Sequence, residues 1–130
     1  MGCGYDIFIG SIHVEPELTP TDFNELKNEL KGDIIDLITT TNLSIEGEKL
    51  DEHSIIDSWK KIIDDLSHKN YKLNGVIYCE ANSDFEPAFL IIKNNNLKFV
   101  SFKYILKNLN LSNWIIVNFD NLPIFCDPRC

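Results

Sequence analysis

Arginine is almost missing from this chain. It occurs once, at Arg129, while Asp and Glu number 20 and the net charge is −8. Nucleic-acid surfaces are bound through clusters of Lys and Arg on phosphate, so that class of partner is argued against. The same acidity, with a pI near 4.7, repels anionic lipid. No apolar run approaches the ~20 residues of a membrane span. The N-terminus has no basic region followed by a long apolar stretch, so no secretory signal is expected. Cys3, Cys79, Cys126 and Cys130 form neither a CxxC pair nor a disulfide framework, which predicts reduced thiols in the cytoplasm. Also missing are a nucleophile elbow, a glycine-rich phosphate loop and a Cys–His pair. No cofactor or metal is expected. His13 and Glu15 share a strand face, but zinc needs three or four convergent ligands.

What is present is an ordinary globular composition. Hydrophobic residues make up 44% of 130 residues and aromatics 11%, enough for a single domain over 1–130 without staples. Heavy use of Ile, Asn and Lys fits an AT-rich coding genome. The strongest periodic signal lies in Ser54–Tyr104. Ile55, Ile56, Trp59, Ile62, Ile63 and Leu66 fall on one helical stripe, with Asp57, Lys60, Lys61, Asp64 and Asp65 opposite. Strand-like runs follow at Tyr71–Glu80, Ala88–Lys93 and Leu97–Val100. Asn94-Asn95-Asn96 makes a turn between the last two, since Asn tolerates the left-handed region.

Earlier in the chain, Tyr5–Val14 reads as a central strand. Tyr5, Ile7 and Ile9 share one face, Phe8, Ile12 and Val14 the other, and Gly10 marks a bulge. Thr19, Pro20 and Asp22 open a helix whose buried side is Phe23, Leu26 and Leu30, and Gly32 closes it. Asp33–Thr41 reads as a strand, followed by Leu43 and Ile45; Asp51 or Ser54 caps the long helix. Phe102, Ile105, Leu106 and Leu109 predict a short third helix, and Trp114–Phe119 a last interior strand. The fold class expected is α+β: one mostly antiparallel sheet of five or six strands, two longer helices and one short helix.

Two functional classes compete. Acidic side chains alternate with apolar ones near Glu15 and Glu17, and again from Glu80 to Glu86. Tyr78 and Phe85 stand beside the second group. Aromatic anchors ringed by acids suit a protein partner with a basic surface, with Glu15, Glu17, Tyr78, Glu80, Asp84, Phe85 and Glu86 as binding residues. The alternative is a small-ligand binder or enzyme that uses the Glu80/Asp84/Glu86 carboxylates for acid–base work. A structural virion or assembly component is a third class. Met1-Gly2-Cys3-Gly4 hints at acylation, but Asp6 stands where that motif wants Ser or Thr.

The segments Trp59-Lys60-Lys61-Ile62-Ile63, Tyr71-Lys72-Leu73-Asn74-Gly75-Val76 and Ile91-Ile92-Lys93-Asn94-Asn95 span about a third of the chain. Together they resemble small uncharacterised phage-encoded α+β proteins, in which a Trp-bearing helix leads into a Tyr-x-Leu-Asn-Gly strand. The acidic-glycine turn usual there is replaced here by Ala81-Asn82-Ser83-Asp84. The resemblance implies an accessory protein of phage or mobile-element origin and no particular mechanism. In size and acidity the chain is also similar to immunity proteins of bacterial toxin systems.

Overall fold

Cap chemistry starts both helices where the local sequence directs. In this computed structural model, which describes residues 4–81 and 87–101, helix α1 runs Pro20–Glu29. The Thr19 hydroxyl accepts from the Asp22 amide at 3.1 Å, and Pro20, which has no amide to leave unpaired, takes the first turn. Leu26 is buried, with Phe23 and Leu30 packed half-buried beside it. Gly32, at φ +77, reverses the chain just past the helix. Helix α2 is Glu52–His68, and Asp51 rather than Ser54 caps it, its carboxylate accepting from the Ser54 amide at 2.7 Å. All six residues of the apolar stripe are buried, and Trp59 is fully so.

The strands are β1 (Ile7–Glu15), β2 (Ile35–Thr39), β3 (Asn42–Ile45), β4 (Lys72–Glu80), β5 (Ala88–Lys93) and β6 (Asn96–Ser101). They form one antiparallel sheet in the order β2-β3-β1-β4-β5-β6. This is an α+β fold with two helices among the described residues. Both helices join one hydrophobic core with the same sheet face, which presents Ile12, Val14, Leu43, Leu73, Ile77, Leu90 and Phe99. Hereafter this is the inner face. The expected third helix, the Trp114–Phe119 strand and the tail lie outside the described residues.

Three expectations along β1 and β2 are corrected. Tyr5 does not continue β1. The strand begins at Ile7, and Tyr5 pairs instead with Leu50 through amide bonds of 2.7 and 3.0 Å. Its ring turns inward, edge-on to Phe99 with centroids 5.7 Å apart. Gly10 marks no bulge either: β1 and β4 pair without a slip from Ile7↔Glu80 to Glu15↔Lys72. Gly10 is needed for close approach, because at φ +113 a Cβ there would lie 2.5 Å from the Val76 carbonyl oxygen. The register shift sits in β2 instead, between Leu37 and Thr39, so the predicted Asp33–Thr41 strand shortens to five residues.

Asparagines close the other side of the sheet. Asn94 and Asn95, at φ 48 and 68, form the two-residue turn between β5 and β6, with both residues left-handed as a primed hairpin turn requires. Asn95 also accepts from the Leu73 amide at 2.6 Å and donates to the Tyr71 carbonyl at 3.0 Å. Asn74 accepts from the Asn94 amide at 2.8 Å. The hairpin is thereby fastened to the start of β4 by side chains as well as by the ladder.

Candidate functional site

The outer face of the sheet, opposite the helices, is where the sequence-predicted residues come nearest to forming a site. Side chains alternate along a strand, so the β1 residues facing outward are Ile7, Ile9, Ser11, His13 and Glu15. Their direct partners on β4 are Glu80, Tyr78, Val76, Asn74 and Lys72, in that order. This two-strand surface therefore grades from apolar at one end, through neutral polar, to charged at the other. Its nine paired residues, with Gly10 and Gly75 letting the backbones close up, make it the longest ladder in the sheet.

At the apolar end Ile7 is 39% exposed and Ile9 is 59% exposed. Apolar residues on both faces suggested a central strand, and β1 does lie between β3 and β4, yet its outer face leaves Ile7 and Ile9 exposed. Tyr78 lies opposite Ile9 and half-buried, its ring 5.4 Å from that of Phe89. Burial pushes the Tyr78 hydroxyl above its ordinary pKa, and the Glu80 carboxylate two residues along adds to the shift. Glu80 stands directly across from Ile7. An apolar strip, a phenol and a carboxylate thus share one rigid surface, a suitable arrangement for an interface core with an acidic rim.

Glu15 and Glu17 are not part of that group. Glu15 lies at the far end of β1, six residues or roughly 20 Å from Ile9, opposite Lys72. Glu17 follows in the connection to α1, where its carboxylate accepts from the Thr40 hydroxyl. Asp84, Phe85 and Glu86 lie outside the described residues, so Glu80 is the one member of the carboxylate trio that can be placed. Ile7 and Ile9 are the functional candidates that sequence reasoning missed. Their alternation was visible, but alternation alone does not say which face a helix will cover.

The inner side offers a different kind of feature. A groove of about 330 Å³ opens between the end of α1 and α2, lined by Glu29, Asp33 and Asp65 with Lys61 and Ser58. Its lining is mainly charged and open to solvent, unlike the apolar, enclosed pockets that hold small ligands. Neither it nor the shallow grooves near Phe23 and Leu97 touches Tyr78 or Glu80. No set of three metal-ligating side chains converges among the described residues. His53 and His68 are surface residues on α2, and His68 contacts the Asp64 carbonyl at 2.8 Å.

A second polar cluster joins α1 to the end of α2. The Tyr71 hydroxyl donates to Asp22 at 2.6 Å and accepts from the Thr19 amide at 3.3 Å. Lys69 approaches Glu25 at 3.3 Å and Asp22 at 3.8 Å. The Tyr71 bond holds the Asp22 carboxyl below its ordinary value against the opposing effect of desolvation, with lesser help from Thr19 and Lys69. Every member bonds another member, so this cluster is a structural clamp. Cys79 is likewise structural: it is buried on the inner face, and burial pushes its thiol up to about 12. It holds almost no thiolate at neutral pH and so makes no nucleophile.

Comparison with protein-family models, curated proteins and solved structures found no match. Among the described residues no helix is long and apolar enough to cross a membrane.

Proposed function

We propose that this chain is a small acidic protein-binding module, an inhibitor, immunity or accessory protein of phage, mobile-element or bacterial-conflict origin. It acts in the cytoplasm on a protein partner with a basic surface. The observation that carries the reading is the exposed Ile7–Ile9 strip set beside Tyr78 and Glu80 on the longest ladder of the sheet. Interfaces concentrate binding energy in a few apolar and aromatic anchors, and surrounding charges govern partner choice and encounter rate. A net charge of −8 supports steering of a cationic partner. The resemblance to small phage-encoded proteins and the likeness in size and acidity to immunity proteins support the biological setting.

The test is affinity capture with the full-length protein, followed by association kinetics on the captured partner at two salt concentrations. Ile9→Asp should abolish binding with little change in fold stability, since the site is exposed and such surface changes usually fall within ~0.5 kcal/mol. Glu80→Lys should slow association more than it speeds dissociation, by up to roughly tenfold at low salt. Raising salt should slow the wild type as well, because screening shortens the electrostatic reach to ~8 Å near physiological ionic strength. A rate indifferent to salt and to both substitutions would refute the reading. Recovery of a small molecule in place of a protein would favour a ligand-binding or enzymatic role centred on Glu80.

A further inference from the structure

The two sides of β1 are paired very differently. β4 pairs with it from Ile7 to Glu15, whereas β3 pairs with it only at Ile12↔Leu43 and His13↔Asn42. Pairing on the β3 side resumes only at Tyr5↔Leu50. The Val14 amide bonds the Thr41 carbonyl at 2.7 Å, and bonding residues alternate along an antiparallel ladder. The main-chain groups of Ile12, Gly10 and Phe8 therefore point toward β3, and those of Ile7, Ile9 and Ser11 toward β4. Tyr5 bonds Leu50 on the β3 side although it lies an odd number of residues from Val14. The two contacts are thus out of phase, and the stretch between them cannot close as one regular ladder. A gap in the sheet remains between residues 7–10 and residues 46–49. The Gly10 carbonyl accepts from the Ser44 hydroxyl at 3.0 Å, but no described group on that side bonds the Phe8 amide or carbonyl. β1 is a central strand over its second half and an edge strand over its first, and the exposed Ile7 and Ile9 lie on the edge half.

We propose that this gap receives an extended, basic segment of the protein partner, which adds to β1 as a strand. The inference deepens the reading of a protein-binding module and rests on it for the nature of the partner. The Phe8 amide and carbonyl supply one donor and one acceptor, and alternate side chains of the added segment lie beside Ile7 and Ile9 on the outer face. Residues 46–49 are exposed and make no main-chain bond to residues 6–10, so they yield room at small cost. The charge of the segment follows from the rim. Asp6, Glu46 and Glu48 flank the gap and Glu80 lies across β1, while Lys49 is the single base among residues 4–10 and 46–49. The Asp6 carboxylate marks one end of the gap, where it accepts from the Lys49 amide at 2.8 Å. An added strand must offset these acids, and Lys or Arg at alternate positions does so. A second copy is the wrong occupant, because it brings the same acids and a further net charge of −8.

Amide exchange read by NMR on the full-length protein tests strand addition with defined probes. These are capped heptapeptides that alternate Lys with Val, the same peptide with Glu for Lys, and the Lys form N-methylated throughout. The Lys peptide at millimolar concentration should slow exchange of the Phe8 amide by roughly tenfold or more and shift the Ile7 and Ile9 methyl signals. The Glu and N-methylated peptides should do neither. Glu48→Lys, a change at an exposed position, should weaken binding of the Lys peptide by roughly fivefold. Methyl shifts without Phe8 protection, or equal binding of the N-methylated peptide, would overturn strand addition while leaving a protein-binding strip intact. A Phe8 amide protected before any peptide is added would also overturn it. Such protection assigns the gap to this chain if it is independent of protein concentration, and to a second copy if it rises with concentration. Exchange at Phe8 indifferent to all three peptides would overturn the proposal outright, and affinity capture of a partner then decides the broader reading by itself.

Discussion

Trp59 is the largest fully buried side chain among the described residues, and it occupies the middle of the α2 stripe. Its indole nitrogen has no hydrogen-bond partner among the described residues, so its contribution to stability comes from packing. Trp59→Ala should cost ~3–5 kcal/mol in urea denaturation, the range for emptying a large core site; a loss under ~1 kcal/mol would show that the site is not a packing centre. Asp22 and Tyr71 make a different contribution. The folded-state pKa of Asp22 is depressed below 3.8, so its stabilisation is present above that value and disappears as pH falls through the lower folded value. Wild type should therefore exceed Tyr71→Phe in stability at pH 7, and the gap should narrow in acid below about 3.8. Urea melts of both proteins across that range provide the check, and a gap independent of pH would mean that the hydroxyl does not act through the carboxylate.

The elements depend on close backbone approach as well as on side-chain pattern. Gly10 and Gly75 lie on adjacent strands, two pairs apart, and each would push a Cβ into the other strand's backbone. The distances are 2.5 Å from the Val76 oxygen for Gly10 and 2.6 Å from the Ser11 oxygen for Gly75. Both also have positive φ, +113 and +154. Gly→Ala stabilises by up to ~1 kcal/mol where the conformation permits it and reverses sign where it does not. Gly10→Ala and Gly75→Ala should each destabilise by more than ~1 kcal/mol, read as a fall in the urea midpoint at constant slope. By contrast, Gly32→Ala would meet no neighbouring atom, so only its φ of +77 opposes the change. A cost at Gly10 no larger than at Gly32 would show that the β1–β4 approach is not limiting. The start of α1 was legible because caps are local: Thr19 accepts from an amide three residues on, and Pro20 has no amide to leave unpaired. The Gly10 bulge was misread because a mid-strand glycine signals either a bulge or a close approach, and only the partner strand distinguishes them.

At the scale of the molecule, a sheet with both described helices on one side has one face whose fate is not written in the strands. The chain by itself determined the α+β class, the α2 stripe, the Thr19 cap, the β5 limits at Ala88 and Lys93, and the Asn94–Asn95 turn. Each follows from spacing or hydrogen bonding within a few residues, where chain connectivity alone brings the groups together. It also determined the acid excess, a sum that no folding alters. Tertiary structure alone decided that Tyr5 leaves β1 to meet Leu50 and Phe99, and that β1 sits between β3 and β4. It likewise separated Glu15 and Glu17 from Tyr78 and Glu80 by most of the length of β1. The same arrangement left Ile7 and Ile9 open while it closed off Phe89, Ile91 and Val100. Alternation with a period of two sorts side chains into two faces, but which face is covered depends on contacts between residues far apart in the chain.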